Sequence, residues 1–330
     1  MIRLLIHDAA WRSISTAFGS HRDQVLPLVM DDAGVITADG EVVANGASQA
    51  DIAWLSGGLY YSGAMRAFAL ELVKATELKW VQSAAAGFDH PLFKGIVERG
   101  ARLSTSHAHS EPIADYVLAS VLDHFQRGPD RRAAQARGEW EVLMFKEMWE
   151  SRWLIVGFGS IGQAVARRAQ AFGARITGVR RNMTPHPLAE RLVTLADLAD
   201  VLPTADVVVL TAPLNDATRG IADARFFAAM KPGSVLVNVG RGALVNEADL
   251  LAALDRGAPE HAVLDVFQTE PLASDSPFWS HAQVRVTAHT ASETATVDER
   301  NVALFLDNLG RYVRGEPLLN LVDRAEVLGL

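Results

Sequence analysis

Short apolar runs alternate with amphipathic segments along most of the chain, and this alternation defines the predicted fold. Strands are predicted for the apolar runs, at residues 2–7, 42–45, 52–55, 80–82, 101–106, 153–156, 175–179, 205–211, 234–239, 262–266 and 284–287. Helices are predicted where apolar residues recur at helical spacing, within residues 8–30 and at 65–76, 111–127, 163–172, 246–255 and 293–313. Strands that alternate with helices indicate helix-covered parallel sheets, so we expect an α/β fold.

Residues 153–172 contain the most informative motif. An apolar run ends at Val156, the glycines Gly157, Gly159 and Gly162 follow, and a helix is predicted after them. In such a motif the first glycine permits a tight turn, the second lets the backbone approach a pyrophosphate, and the third lets the helix pack close to the strand. The helix N-terminus offers N–H groups to the phosphates. The motif predicts a dinucleotide site, and a plain strand-to-helix turn is the alternative.

Composition narrows the class of protein. The 330 residues carry a formal net charge of −8, and 49% of them are hydrophobic. Binding to nucleic acid or to an anionic membrane needs a basic surface, so neither partner is expected. The chain has no cysteine, which excludes disulfides, thiolate catalysis and cysteine zinc sites. No apolar run approaches the roughly 20 residues of a membrane-spanning helix. A cytoplasmic protein is therefore expected.

The position of the glycine motif predicts two domains. A chain of 330 residues exceeds the usual size of one hydrophobic core, and strand–helix units lie on both sides of the motif. We expect a dinucleotide-binding domain at residues 102–290, inserted into a substrate domain made from residues 1–101 and 291–330. Gly128-Pro129 is expected to end the helix at 111–127, with a polar connector leading on to Trp153.

The end of the second strand in the inserted domain indicates which dinucleotide is bound. NAD-binding domains place an acidic residue there, about 20 residues past the glycines, to hold the ribose 2′-hydroxyl. Here Arg180 and Arg181 follow the strand, and no Asp or Glu occurs between Gly162 and Glu190. Guanidinium groups can bind a 2′-phosphate through paired hydrogen bonds. We predict a preference for NADP(H), with NAD(H) as the alternative; the two arginines would otherwise be solvated surface residues.

Three later strand ends carry side chains suited to hydride transfer. Arg241, Glu270 and His289 each follow a predicted strand, and the C-terminal ends of parallel strands converge on a ligand crevice. Arg241 would bind a substrate carboxylate and polarise the keto oxygen, and His289 would donate a proton to that oxygen. Glu270 would hydrogen-bond His289 and orient its ring. A surface arginine, a loop glutamate and a hydrogen-bonded structural histidine are the alternative interpretations.

Two further segments carry candidate chemistry. Small residues at positions 84–86 and Gly87 follow a strand and leave backbone N–H groups accessible, as a carboxylate-binding turn needs. A simple strand–helix connection is the alternative there. His107 and His109 are spaced like a pair of metal ligands, but no clear set of further ligands accompanies them, so no metal is expected.

Five motifs in order resemble the D-isomer-specific 2-hydroxyacid dehydrogenase family. They are the glycine motif, Thr211-Ala-Pro213-Leu214, Asn238-Val-Gly-Arg241-Gly242, Leu264-Asp265-Val-Phe-x-x-Glu270-Pro271 and Thr287-Ala-His289. The resemblance covers nearly the whole chain. It implies two Rossmann-like or flavodoxin-like parallel-sheet domains, an active-site cleft between them and a homodimer. It also implies an oxidoreductase whose catalytic set is Arg241, Glu270 and His289.

The resemblance also assigns binding residues by position. On the dinucleotide it implies contacts from Gly157, Phe158, Gly159, Ser160, Ile161, Gly162, Arg180, Arg181, Ala212, Pro213, Val239, Gly240, Asp265, His289 and Ala291. Among these, Asp265 would contact the nicotinamide carboxamide. On the substrate it implies the backbone N–H groups of Ala86 and Gly87 beside Arg241.

Departures from the family pattern narrow the expected activity. Ala288 stands where the family usually has a proline before the catalytic histidine, and Arg180-Arg181 stand in place of the ribose-binding acid. The second departure resembles the NADPH-using glyoxylate and hydroxypyruvate reductases. We therefore expect NADPH-dependent reduction of a small 2-keto acid, such as glyoxylate or hydroxypyruvate, to the D-2-hydroxy acid. The alternative is a dinucleotide-sensing binding protein of the co-repressor type on the same fold.

Overall fold

A computed structural model describes residues 1–44 and 48–329, and the chain forms two compact units. The first unit consists of residues 1–109 together with 294–330, and the second of residues 110–293. The predicted strand at 42–45 ends at Asn45, which lies outside the described residues, as does Leu330.

Residues 1–109 supply the sheet of the first unit. Its strands are β1 (Ile2–His7), β2 (Val25–Met30), β3 (Ile36–Ala38), β4 (Glu41–Val43), β5 (Ile52–Leu55), β6 (Trp80–Ser83) and β7 (Arg102–Ser104). Its helices in this segment are α1 (Asp8–Ile14), α2 (Gly57–Tyr60), α3 (Met65–Lys74), α4 (Pro91–Glu98) and a 3₁₀ helix at Ala17–His21. The strand order is β4-β3-β2-β1-β5-β6-β7. The strands pair in parallel from β2 to β7, and β3 and β4 extend the sheet antiparallel.

The structure corrects two expectations in this unit. The helical segment predicted up to Met30 ends early, because Val25–Met30 is strand β2 and pairs with β1 along its whole length, from Ile2 with Val25 to His7 with Met30. The boundary expected between residues 101 and 102 lies after His109 instead, since β7 pairs with β6 in this sheet.

Residues 110–293 form the second unit. It contains α5 (Ser110–Phe125), α6 (Gly128–Arg137), β8 (Arg152–Val156), α7 (Ser160–Ala171), β9 (Arg175–Val179), β10 (Arg191–Val193), α8 (Leu198–Val201), β11 (Val207–Leu210), α9 (Ala224–Ala229), β12 (Val235–Asn238), α10 (Glu247–Leu254), β13 (His261–Leu264) and β14 (Val284–Val286). Short 3₁₀ helices lie at Leu195–Asp197, Leu202–Thr204, Gly242–Leu244 and Pro277–Trp279. The chain then returns to the first unit through α11 (Ala295–Arg314) and α12 (Arg324–Leu328).

The segment after α5 differs from its prediction. Gly128-Pro129 begins a second helix, α6, and does not lead directly into a polar connector. Proline favours the first turn of a helix, because its missing N–H would have no intrahelical acceptor there. The charged run Asp130-Arg131-Arg132 therefore belongs to α6, and the irregular connector begins after Gly138.

The second sheet is fully parallel, with the order β10-β9-β8-β11-β12-β13-β14. Its central strands β8 and β11 are almost entirely buried, since helices cover both faces. The strand order reverses between β8 and β11, and dinucleotides bind in this fold outside the carboxyl ends of the strands at such a point. The predicted α/β fold with two sheets of mainly parallel strands is confirmed. Within the described residues, no helix has the length and apolar character needed to span a bilayer.

Candidate active site

The glycine motif lies at the point where the order of the second sheet reverses. Gly157 follows β8 with φ +103°, a conformation that favours glycine. A Cβ on Gly157 would collide with the backbone of Ala212, the second residue after β11. The hydroxyl of Thr211 donates to the carbonyl of Gly157 at 2.6 Å. Gly157 therefore lets the ends of β8 and β11 meet backbone to backbone.

The two other glycines fit the approach of a pyrophosphate. A Cβ on Gly159 would meet no atom within 4 Å, so the backbone at the start of α7 is open. A Cβ on Gly162 would collide with the carbonyl of Gly157 and the side chain of Ile155, so the helix packs directly on the strand. Ser160 and Ile161 occupy the first turn of α7, where N–H groups have no intrahelical acceptor. The backbone here suits a dinucleotide phosphate.

Arg180 and Arg181 follow β9, as the sequence predicts. The backbone N–H of Arg180 donates to Val193 at 3.0 Å, and its side chain is partly exposed. Within residues 1–44 and 48–329, the guanidinium of Arg180 forms no hydrogen bond or ion pair. Phe158 is buried against Gly178, at the C-terminal half of β9. The guanidinium of Arg180 is therefore an available cation at the end of β9. NAD-binding domains carry an acidic residue at this position.

The end of β12 lies beside the ends of β8 and β11. Val239 donates to the carbonyl of Leu210 at 3.2 Å. A Cβ on Gly240 would lie 3.2 Å from the carbonyl oxygen of Ala212, and Pro213 follows Ala212 in the chain. The predicted residues after β8, β11 and β12 are thus brought together at one edge of the sheet.

Arg241 sits in a turn built by Asn238. The Asn238 side chain donates to the Arg241 carbonyl at 3.0 Å and accepts from Gly240 N–H at 3.1 Å. The guanidinium donates from Nη1 to the Gly240 carbonyl at 2.9 Å. The side chain is partly exposed. This geometry fixes the backbone from which the cation extends.

His289 and Glu270 form a hydrogen-bonded pair. Nδ1 of His289 lies 2.8 Å from Oε2 of Glu270, and the two side chains are 51% and 36% exposed. Oε1 of Glu270 accepts from the backbone N–H of Phe267 at 2.9 Å, which fixes the other carboxylate oxygen. Among the described residues, Nε2 of His289 has no hydrogen-bond partner. The ring is held on one side and available on the other.

Backbone contact connects the Arg241 turn with the Glu270 turn. A Cβ on Gly242 would collide with the carbonyl group of Phe267, so only glycine permits this approach. Gln268 strengthens the junction, since its side chain donates to Val245 O at 2.6 Å and its N–H to Glu247 at 2.7 Å. The residue types alone do not predict this junction. The glycine directly after Arg241 was its one visible sign.

Asp265 has a structural role that the sequence analysis did not foresee. The residue is 3% exposed, and its carboxylate accepts from Thr287 Oγ1 at 2.6 Å, Thr290 N at 2.9 Å and Ala291 N at 3.1 Å. Its carbonyl accepts from His289 N at 2.7 Å. Asp265 therefore holds the turn that carries His289, and its predicted contact with the nicotinamide stays a prediction.

The predicted carboxylate-binding turn belongs to the first unit. Ala86 and Gly87 follow β6 and are partly exposed. Ser83 Oγ accepts from Ala85 N at 3.1 Å, whereas in the described parts of the chain the N–H groups of Ala86 and Gly87 have no hydrogen-bond partner. These two donors are available to an anion.

The histidine pair at positions 107 and 109 has other surroundings. The His109 ring lies 2.7 Å from the Ala84 carbonyl, and burial lowers the pKa of His107. Across residues 1–44 and 48–329, no group of three or more His, Cys, Asp or Glu side chains could hold a metal ion.

Comparisons with known proteins assign a family to this fold. Residues 118–291 match the model of the D-isomer specific 2-hydroxyacid dehydrogenase, NAD binding domain. The chain is 30% identical to glyoxylate/hydroxypyruvate reductase A of Klebsiella pneumoniae, over 77% of this chain and 83% of that protein. It is 36% identical to D-3-phosphoglycerate dehydrogenase of Mycobacterium tuberculosis over 69% of this chain, but it spans only 44% of that enzyme.

A solved structure extends the similarity to nearly the whole chain. The NADPH-dependent glyoxylate/hydroxypyruvate reductase of Sinorhizobium meliloti, in complex with NADP and sulfate, is 26% identical, with a TM-score of 0.78. The match covers 99% of this chain and 100% of that chain. The parallel sheets and the glycine motif define a dinucleotide-binding protein, and the matched family model makes it an oxidoreductase. More narrowly, the chain belongs to the D-isomer specific 2-hydroxyacid dehydrogenase family.

Proposed function

We propose that this protein reduces a small 2-keto acid, such as glyoxylate or hydroxypyruvate, to the D-2-hydroxy acid with NADPH. The observation that carries the proposal is the Glu270–His289 pair at 2.8 Å, which leaves Nε2 of an exposed ring available. A second support is the partly exposed Arg180 after β9. The glyoxylate/hydroxypyruvate reductases among the similar proteins support the same substrate class.

Each residue has a distinct task in the proposed reaction. When bound, NADPH supplies the hydride that the keto carbon accepts. Arg241 pairs with the substrate carboxylate and draws electron density toward the keto oxygen, because a guanidinium forms charge-assisted hydrogen bonds with carboxylates. His289 gives the proton at Nε2 to that oxygen as it becomes a hydroxyl. Glu270 holds Nδ1, so Nε2 points away from the carboxylate and keeps its orientation. The N–H groups of Ala86 and Gly87 are further candidates for the substrate carboxylate.

The glycine turn and Arg180 would hold the cofactor. The open backbone at Gly159 and the first turn of α7 suit the pyrophosphate. Arg180, with Arg181 beside it, suits the 2′-phosphate, since a guanidinium pairs with phosphate and an acid would repel it. NADH remains the alternative cofactor.

Steady-state kinetics with a panel of 2-keto acids tests the proposal. We expect turnover of glyoxylate or hydroxypyruvate, a higher kcat/KM with NADPH than with NADH, and a product of D configuration. Equal or better use of NADH would contradict the assignment of Arg180. NADPH binding without turnover of any 2-keto acid would favour the co-repressor alternative. The homodimer implied by the family resemblance and the cytoplasmic location expected from composition stay predictions.

A further inference from the structure

A chain of three side chains leads from helix α5 to the turn that carries His289. The Tyr116 hydroxyl lies 2.8 Å from Oγ1 of Thr287, which donates to Oδ1 of Asp265 at 2.6 Å. The roles proposed above for Arg241, Glu270 and His289 make no use of these hydrogen bonds. All the residues lie within residues 110–293, the second unit.

The direction of these hydrogen bonds follows from the donors available. A threonine hydroxyl has one hydrogen, and an ionised carboxylate can only accept. Thr287 gives its hydrogen to Asp265, so it must accept from Tyr116. Burial raises the pKa of Tyr116, and the hydroxyl therefore keeps its hydrogen at neutral pH. The donor order is Tyr116, then Thr287, then Asp265.

Asp265 lies at the end of this chain and stabilises a strained turn. His289 has φ +55°, a left-handed conformation that is costly for residues other than glycine. Such strain persists only where surrounding contacts over-determine the backbone. Here the N–H groups of His289, Thr290 and Ala291 all donate to Asp265, the first to its carbonyl and the others to its carboxylate. The Asp265 carboxylate therefore holds the two residues that follow His289, and with them the turn that carries its ring.

Tyr116 is well placed to fix this orientation. It lies on the sixteen-residue helix α5, which is joined to α7 by ion pairs from Arg168 to Glu111 and Asp115. The guanidinium of Arg285 lies over the Tyr116 ring, 5.9 Å from its centroid, and cation–π contacts form within about 6 Å. A helix anchored in this way gives the hydroxyl of Tyr116 a fixed position.

We propose that Tyr116 and Thr287 are positioning residues for His289, acting through the Asp265 carboxylate. The inference rests on the proposed function, in which His289 donates the proton. Neither residue needs to touch the substrate. Their contribution is the orientation of the ring during proton transfer, so it should appear in kcat and not in the KM of the keto acid.

Conservative variants of the two residues test the proposal. One hydrogen bond contributes about 0.5–1.5 kcal/mol, so Tyr116→Phe should lower kcat about three- to tenfold while the keto-acid KM changes less than about twofold. Thr287→Val should lower kcat at least as much. Thr287→Ser, which keeps the hydroxyl, should have the wild-type kcat. The double variant should be no slower than Thr287→Val alone, because Tyr116 acts through Thr287.

Two controls and a second measurement separate positioning from general structural damage. Tyr312→Phe and Thr204→Val make the same chemical changes on α11 and before β11, away from the turn, and should leave kcat unchanged. Amide hydrogen exchange, followed by mass spectrometry on a peptide containing residues 287–293, should be faster in Tyr116→Phe and Thr287→Val, since Thr290 and Ala291 donate to Asp265.

The outcomes distinguish this inference from the proposed function. If Tyr116→Phe and Thr287→Val leave both kcat and exchange at wild-type values, the positioning role is wrong. It is also wrong if Tyr116→Phe slows the residual rate of His289→Ala as much as it slows the wild type. If the wild type reduces no 2-keto acid, the proposed function fails, and the exchange measurement alone decides whether Tyr116 and Thr287 hold the turn.

Discussion

His289 depends on two acidic residues, each of which holds a different part of it. Glu270 holds the ring at Nδ1, and Asp265 holds the backbone of the turn. The first contact could be predicted, because a glutamate and a histidine after neighbouring strands are a familiar pairing of general acid and orienting group. The second could not, because a buried aspartate that accepts backbone N–H groups leaves no signature in the residue types.

Replacement of His289 by alanine should depress the rate far more than cofactor affinity. The substitution removes the proposed proton donor and no phosphate contact, and general acid catalysis contributes about 10²–10⁴-fold. Stopped-flow or steady-state kcat, together with the Kd of NADPH from fluorescence titration, would measure both quantities. His281→Ala, before β14, is a matched control. A rate within about threefold of the wild type would exclude His289 as the donor.

Replacement of Arg180 by alanine should reduce the preference for NADPH. The guanidinium would pair with the 2′-phosphate, and one charge-assisted hydrogen bond contributes about 1.5–3 kcal/mol, or roughly 10- to 100-fold in kcat/KM. NADH has no 2′-phosphate, so its kcat/KM should change little. Arg175→Ala, at the other end of β9, should leave the NADPH/NADH ratio unchanged. Equal losses with both cofactors in Arg180→Ala would contradict the assignment.

At the scale of elements, the site is a set of turns held together by close backbone contacts. Gly157 brings the end of β8 against that of β11, and Gly242 brings the turn after β12 against the one after β13. The sequence indicates that these glycines follow strands, and the strand order places them at one edge of the sheet. Which backbone each glycine meets depends on tertiary packing, so the Gly242 junction emerges only from the structure.

Gly242→Ala should disturb Arg241 and Glu270 together. The added Cβ would overlap the Phe267 carbonyl group, and one of the two turns must move. Overpacking of this kind typically costs about 1–3 kcal/mol of unfolding free energy. We expect a lower kcat, a higher KM for the keto acid and a lower unfolding midpoint. Gly95→Ala in α4, where a Cβ would meet open space, provides the control. Unchanged kinetics in Gly242→Ala would show that the turns act independently.

The sequence predicts an element less well when its secondary structure depends on contacts with segments distant along the chain. Val25–Met30 carries both apolar and turn-compatible residues, and its pairing with β1 makes it a strand. Gly128-Pro129 can either end one helix or begin another, and the structure uses it to begin α6. By contrast, β5 has its predicted bounds, since all four of its positions are buried and its sequence is a continuous apolar run.

At the scale of the whole molecule, stability should fall in mild acid, and His261 contributes to that fall. Its ring stacks on His124 with centroids 4.3 Å apart. Burial, followed by the charges of His124 and Arg285, lowers the pKa of His261 from 6.5 to about 4. Asp123 acts in the opposite direction but does not prevail. The unfolded chain therefore binds a proton between these two pH values that the folded chain does not.

The sign of this effect gives a testable pH dependence. Stability rises with pH wherever the unfolded state binds more protons, so the His261 contribution is complete above pH 6.5 and is lost as the pH falls toward 4. At pH 5 the loss should be about 2 kcal/mol. Urea unfolding of the wild type and His261→Gln at pH 7 and pH 5 measures it. Between pH 7 and pH 5 the variant should lose less unfolding free energy than the wild type. An equal loss would show that His261 does not contribute to the acid sensitivity.

The division into two domains could be foreseen from chain length and from the mid-chain glycine motif. The boundary positions could not, because β7 and the residues up to His109 have no composition that separates them from the segment that follows. Their place is decided by the pairing of β7 with β6. A single sequence says least about the pairing of strands that are distant along the chain.

A ribosome synthesises β1 to β7 first, then the whole of residues 110–293, and α11 only afterwards. Trp54 in β5 stacks on Phe305 of α11 with centroids 4.3 Å apart, and Trp80 in β6 stacks on the same ring at 6.1 Å. The inserted unit has all its residues before α11 emerges, so its core can close while the nascent first sheet still lacks this aromatic cover. Domains fold as units during synthesis, and incompletely covered apolar surface promotes aggregation. During translation, the earliest part of the chain is thus the last to complete its core, and Trp54 and Trp80 are its aggregation-prone surface until then.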